Sequence, residues 1–183
     1  RLEEPLPNST SAAAEEGTVA HELAEYALSK YLAGEYMPLL DELPTPKEIS
    51  ESKYYSSEMD KYVTDYVCYV CDIFEMCGDA NMYLERKFDL TSYVPECFGS
   101  CDCAIEGNNI LNIIDLKYGK GVRVEAKNNT QLMMYALGVL RSLSPKRQAE
   151  IEIIKMHIAQ VRLGNYEVFE MSARDLTHWG IHE

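Results

Sequence analysis

The stretch from Phe98 to Lys117, FGSCDCAIEGNNILNIIDLK, constrains the fold more than any other part of the chain. Ala104 and Ile105 lead into Gly107-Asn108-Asn109, and an Ile-rich apolar run follows from Ile110 to Leu116. Asn and Gly tolerate positive φ, so a two-residue turn at Asn108-Asn109 closes a β-hairpin. That turn sets Asp102 directly opposite Asp115, with Cβ atoms roughly 5 Å apart. Lys117 shares the face of Asp115, because side chains alternate along a strand. Apolar residues occupy both faces of the second strand, which marks it as central. Two carboxylates opposed in an apolar sheet destabilise it unless something positive sits between them. Oxygen ligands of this kind suit Mg²⁺ or Mn²⁺. Two solvated carboxylates on an exposed hairpin are the plain alternative.

A chain of 183 residues, 46% hydrophobic and 26% charged, can bury its own core and reads as a single domain over 1–183. No apolar run approaches the ~20 residues that span a bilayer, so no membrane partner is expected. The cysteines cluster between Cys68 and Cys103. A chain with this much core has no need of disulfides, and free thiols are expected. Cys68-x-x-Cys71 falls in a helical pattern and lacks a second pair at zinc-ribbon spacing.

The formal net charge is −13, which taken whole argues against nucleic acid. Its distribution argues differently. Residues 1–84 carry 5 Lys/Arg against 17 Asp/Glu, whereas 117–162 carry 9 against 3. The basic stretch follows directly on the carboxylate pair and would suit a phosphate polymer, although a charge run is commonly a solvated face. The acidic first half offers a surface for a protein partner. The oligomeric state is not readable.

Residues 1–14 read as an irregular lead-in, 15–77 as a helical part, and 82–183 as sheet, crossover helix and C-terminal elements. The first helix runs from Glu15 to Ala33 with Gly34 as its stop, and His21 and Glu25 share one of its faces. A second, long helix is predicted from about Glu51 to Cys77, its tyrosines serving as core. Met82 to Leu90 alternates like a strand ahead of the hairpin. Tyr118-Gly119-Lys120-Gly121 forms a turn presenting Lys120, and Val122 to Glu125 continues as a short strand. Asn128, Asn129 or Thr130 caps a helix to about Arg141, which places Gln131 and Tyr135 on one face. Ser144-Pro145 ends it. Strands follow at Glu150 to Arg162 and Tyr166 to Met171, and Ser172 opens a last helix around Trp179. His157, His178 and His182 receive no role. The order predicts an α/β fold with a central mixed sheet flanked by helices, its crossover strand parallel to the second hairpin strand.

The series GTVAH (Gly17 to His21), GSCD (Gly99 to Asp102), DLK (Asp115 to Lys117) and QLMMY (Gln131 to Tyr135) resembles, in order and spacing, the four motifs of RecB-like nucleases in the PD-(D/E)XK superfamily. The likeness is to a phage-encoded group related to CRISPR-associated RecB-like exonucleases and lambda exonuclease, and covers roughly residues 15–140. It implies a restriction-endonuclease-like core and a divalent-metal-dependent DNA nuclease, an exonuclease of phage DNA recombination, repair or processing. His21, Asp102, Asp115 and the Leu116 carbonyl would then bind Mg²⁺ or Mn²⁺. Asp102, Asp115 and Lys117 would be catalytic, Lys117 orienting water and offsetting charge. Gln131, Tyr135 and the neighbouring Lys120 would hold DNA, with Glu25 supporting His21. The third motif has Asp where many relatives have Glu, one methylene shorter. Relatives with an iron-sulfur cluster use three late cysteines, and none here follows Cys103, so no such cluster is expected. The resemblance places the protein in a cytoplasm, that of a bacterial host if phage-encoded. The alternatives are a catalytically silent nuclease fold that binds DNA or a partner protein, and a hydrolase of another phosphate ester.

Overall fold

The computed structural model describes residues 11–89, 91 and 98–182. In order they form α1 (Ala12–Leu32), α2 (Lys47–Ser50), α3 (Ser57–Met76), β1 (Ala80–Asp89), β2 (Phe98–Gly107), β3 (Ile110–Leu116), α4 (Thr130–Ser142), α5 (Pro145–Glu150), β4 (Ile153–Gln160), a 3₁₀ turn (Val161–Leu163), β5 (Asn165–Ser172) and α6 (Ala173–His182). One five-stranded sheet runs β1-β2-β3-β4-β5. Among the described strands only the β3–β4 pairing is parallel. The chain is thus α/β, with a mixed sheet flanked by helices, as in a restriction-endonuclease-like core.

Asn108 and Asn109 take φ of 50° and 63°, the left-handed pair of a two-residue hairpin turn. The register follows from it, with Gly107 opposite Ile110 and Cys103 opposite Ile114. Alternation along β3 then serves two cores. Ile114 and Leu116 pack under α1 and α3, while Leu111 and Ile113 pack under α4 and α6. Both faces are covered, so the sheet's central strands carry apolar side chains on both sides, with Glu106, Asn112 and Asp115 as buried polar exceptions.

Several boundaries differ from the sequence-based expectation. Helix α1 starts at Ala12, where the Ser11 side chain accepts a hydrogen bond from the Ala14 amide. Residues 12–14 are therefore helical, and 1–10 lie outside the described residues. The long helix expected from about Glu51 to Cys77 begins later, at Ser57, and residues 51–56 are not helical. Extended Ser56 caps α3 at the Met59 amide, and the side-chain oxygen that makes it a good cap also ends the continuity of the stripe. Val122–Glu125 is not a strand. The Val124 and Ala126 amides instead donate to the side chains of Gln160 and Glu167. Ser144 closes one helix but opens another, capping α5 at Arg147, which shortens β4 to Ile153–Gln160.

Strand β1 changes face midway. Met82 and Leu84 pack with the α1/α3 core, but Phe88 packs with the α4 core, although a regular strand keeps even positions on one side. The reversal falls at Glu85, whose φ is +44°. Opposite it, Cys103 and Cys101 likewise belong to different cores. Leu84 pairs with Cys103 and Arg86 with Cys101, so Glu85 faces Asp102 across the rung the ladder omits.

Candidate metal centre

The β2–β3 ladder also stops at Cys103–Ile114, one position short of Asp102 and Asp115. The sheet opens there, and carboxylate chemistry replaces the backbone pairing. Asp102 Oδ2 accepts the Leu116 amide hydrogen at 2.8 Å. On its other side, Asp102 Oδ1 lies 3.2 Å from His21 Nδ1, delivered by α1. The Lys117 ammonium lies 2.9 Å from Asp115 Oδ2 and 3.2 Å from Oδ1. Lys117 also donates to Gln131 Oε1 at 2.9 Å, and the Gln131 amide donates to the Tyr135 hydroxyl at 2.8 Å. Asn129 caps α4 at Leu132, fixing Gln131 in its first turn and Tyr135 one turn later.

These residues line a cleft of about 410 Å³ that contains His21, Asp102, Asp115, Lys117, Gln131 and Tyr135. Leu116 borders it as well, its amide against Asp102. Lys120 is not among the lining residues. Its amine lies 3.9 Å from Glu58 on α3, both groups well exposed. Glu25 lines a second cleft, of about 540 Å³, on the α1 side of Asp102, together with His21, Glu22 and Glu85.

Glu85 had no place in the sequence-based site. Donor atoms of His21, Glu85 and Asp102 all lie within 4.8 Å of one another. No local signal could reveal this, because the segment joining β1 to β2 is too long to fix a register as the Asn108-Asn109 turn does. Tyr66 is the other omission. Its hydroxyl is fully buried and has no hydrogen-bond partner, yet its place on the apolar stripe of α3 made it look like ordinary core.

The electrostatics match a site short of positive charge. Burial pushes the Asp115 carboxyl up to about 6, the Asp102 charge adds to this, and Lys117 and His21 offset only part. Burial and Asp102 likewise raise Glu85. For His21 burial alone would lower the pKa, but hydrogen bonding and charge from Asp102, aided by Asp115 and Glu85, raise it. Burial holds the Tyr66 phenol well above its ordinary range, with the Asp102 and Asp115 charges acting in the same direction.

Asp115 Oδ2 is buried and lacks a hydrogen-bond partner. Lys117 lies within ion-pair distance of it, but off the line of a hydrogen bond. A buried carboxylate oxygen with a free lone pair fits a divalent cation. So does a donor set of carboxylates with one imidazole.

The basic stretch 117–162 does not form a free basic surface. Arg123 pairs with Glu167, Arg147 with Glu106 and Glu150, Lys155 with Glu170, and Arg162 with Glu16 and Glu58. Apart from Glu150, these partners come from α1, α3, β2 and β5, outside the stretch, which a count along 117–162 cannot show.

The class so defined is an α/β protein with a mixed sheet and a carboxylate-rich, cation-suited cleft where its central hairpin opens. Among the described residues no helix is long and apolar enough to cross a membrane. The chain matches, over residues 1–183, the family described as "Protein of unknown function (DUF2800)", and it belongs to that family.

Proposed function

We propose that the protein is a divalent-metal-dependent DNA nuclease of the RecB-like PD-(D/E)XK type, an exonuclease acting in phage DNA processing in a host cytoplasm. The observation that carries this reading is the buried Asp115 Oδ2, which accepts no hydrogen bond and has the Lys117 ammonium as its counter-charge at 2.9 Å, beside Asp102. His21, Asp102, Asp115 and the Leu116 carbonyl would hold Mg²⁺ or Mn²⁺. The ion would acidify its water and stabilise charge on the phosphoryl group.

The chain's own residues perform the remaining work. Asp115 and Gln131 together fix the Lys117 ammonium, so it needs no reorganisation to offset negative charge developing on a phosphate oxygen. Gln131 ties that ammonium to Tyr135, and a strand docked on these two side chains would bring its scissile group towards Lys117. The Leu116 amide fixes one oxygen of Asp102, which orients the other towards His21.

End-labelled linear DNA and closed circles, each incubated with Mn²⁺, test the proposal. Cleavage of the linear substrate, abolished in Asp115→Ala and Lys117→Ala, is the expected result. Wild-type rates in both variants would overturn the site. The ion pairs that occupy the basic stretch favour one second reading, a nuclease fold that docks a partner without turnover. Binding without cleavage in the same assay would select it.

A further inference from the structure

We propose that the outer edge of β5 is a self-association surface, along which a second copy of this chain adds its own β5, antiparallel and centred on Val168, so that two sheets become one. The inference goes beyond the nuclease reading and does not rest on it. Strand β5 closes one side of the sheet and pairs only with β4. The bonds of β4 alternate between its two neighbours. The Ala159 carbonyl accepts from Lys117 on the β3 side, and the Glu152 carbonyl accepts from Ala173 on the β5 side. In an antiparallel ladder each residue turns its N–H and C=O the same way, and successive residues turn them oppositely. Glu167, Phe169 and Met171 therefore bond to β4, and Tyr166, Val168 and Glu170 present their amides and carbonyls outward. Among the described residues no hydrogen bond reaches those outward groups.

Sheets protect such an edge with lysine, proline, a bulge or a covering segment. The opposite edge has devices of this kind, since β1 is interrupted at Glu85, with φ of +44°, and carries Arg86 and Lys87 beside it. Strand β5 has neither interruption nor basic residue. It pairs without a break from Asn165 to Ser172, and its sequence NYEVFEMS holds no Pro, Gly, Lys or Arg. Tyr166 and Val168 stand 38% and 52% exposed along it, so backbone and side chains alike are open to a further strand.

The placement of charge makes a second β5 the strand that fits. A net charge of −13 sets two copies against each other over most of their surface. On β5 the acids are already neutralised, Glu167 by Arg123 at 2.8 Å and Glu170 by Lys155 at 3.5 Å. A two-fold axis through Val168 sets that residue against its own copy, Tyr166 against Glu170, and Glu167 against Phe169. No glutamate then meets another, whereas an axis through Glu170 would oppose like charges. The outward amides and carbonyls of Tyr166, Val168 and Glu170 all find partners. Tyr166 packs on Tyr69 of α3 with ring centroids 4.9 Å apart, and Val168 shares its face, so the exposed apolar side chains of both copies join in one patch. The carboxylate cleft lies at the end of β3, level with the start of β5 through the Leu116–Ala159 and Ala159–Tyr166 pairs. Because the two β5 strands run oppositely, the partner's cleft falls at the other end of the joined sheet, and each cleft stays open.

Analytical ultracentrifugation of the full chain over a range of concentrations tests this. The wild type should show a reversible equilibrium between monomer and dimer. Val168→Pro should abolish it, because the N–H it removes faces outward, and proline is tolerated at such positions of an edge strand. Val168→Lys should abolish it as well, and keeps the test decisive should Val168→Pro fail to fold. A residue on the axis faces its own copy with Cα atoms ~5.5 Å apart, inside the ~4.4–6.8 Å span of a disulfide. Val168→Cys should therefore cross-link on mild oxidation, the bond mapped by peptide mass spectrometry to position 168 of both copies. Phe169→Cys, on the axis of the neighbouring register, should cross-link more slowly. A wild type that stays monomeric throughout overturns the proposal, as does a dimer that survives in folded Val168→Lys. Faster cross-linking through Phe169→Cys does the same.

Discussion

Replacing Asp115 with Asn should stabilise the metal-free protein while removing its function. Asp115 is almost wholly buried, and its carboxyl is held at about 6 against an ordinary 3.8. Each pKa unit corresponds to about 1.4 kcal/mol, so keeping the ionised form at neutral pH costs the fold about 3 kcal/mol. That figure already includes the favourable influence of Lys117, and Asn mimics the uncharged acid in shape. Asp115→Asn should therefore gain up to about 3 kcal/mol in urea unfolding at pH 7.5 in EDTA. The sign is the test. Were the Asp115–Lys117 pair a structural ion pair, removing one partner would destabilise by roughly 3–5 kcal/mol. A lower urea midpoint for Asp115→Asn would refute the view that this carboxylate is held in strain for a cation. Mn²⁺ should raise the wild-type melting temperature, by the equivalent of ~2.7 kcal/mol at a hundredfold excess over Kd. In Asp115→Asn the increment should fall measurably.

Lys117→Ala should abolish cleavage and lower stability at pH 7.5 by about 1–3 kcal/mol, since it strands a buried carboxylate. The loss should shrink at pH 4.5, where Asp115 is protonated in both proteins, and urea midpoints at the two pH values check this. His157 predicts a second pH dependence. It is buried between Tyr69 and Asn112, and burial, then Lys155, pushes its pKa to about 4 from 6.5. Its stabilising contribution is present above pH 6.5 and lost as pH falls towards 4, about 3 kcal/mol in full. Asp115 acts oppositely over pH 3.8 to 6, so the wild type should vary little there and Asp115→Asn should lose stability steeply in thermal melts below pH 6.5. Gly138→Ala should destabilise by about 1–3 kcal/mol despite its better helix propensity. An added Cβ would stand 2.3 Å from the Phe88 ring, and Phe88→Leu should recover part of the loss in differential scanning calorimetry.

What could be read from the sequence was whatever a short turn or a local cap determines. Asn108-Asn109 fixes the hairpin register, and with it the placement of Asp102, Asp115 and Lys117. Asn129 fixes the start of α4, and so the Gln131–Tyr135 pair. Glu85 was hidden because its partner lies across a long connection, and because a left-handed residue within a strand breaks the alternation on which strand reading relies. The neutralised basic stretch was hidden for a related reason: Glu16, Glu58, Glu167 and Glu170 reach it only through tertiary packing.

The positions of the two broken rungs explain why a carboxylate cluster can persist within a buried sheet. Paired strands leave no room for ligands, since every backbone donor and acceptor is committed. Here β1 turns over at Glu85 and β2 pairs with β3 only from Cys103 onward, and both interruptions meet at Asp102. The strand ends are then held by the two flanking cores and, at Lys117, by the backbone bond to Ala159 on β4 at 2.9 Å. Removing strand pairing at one residue frees polar groups without loosening the sheet around them. The acids are thereby kept close enough to repel, and a cation in the gap between them would relieve that repulsion.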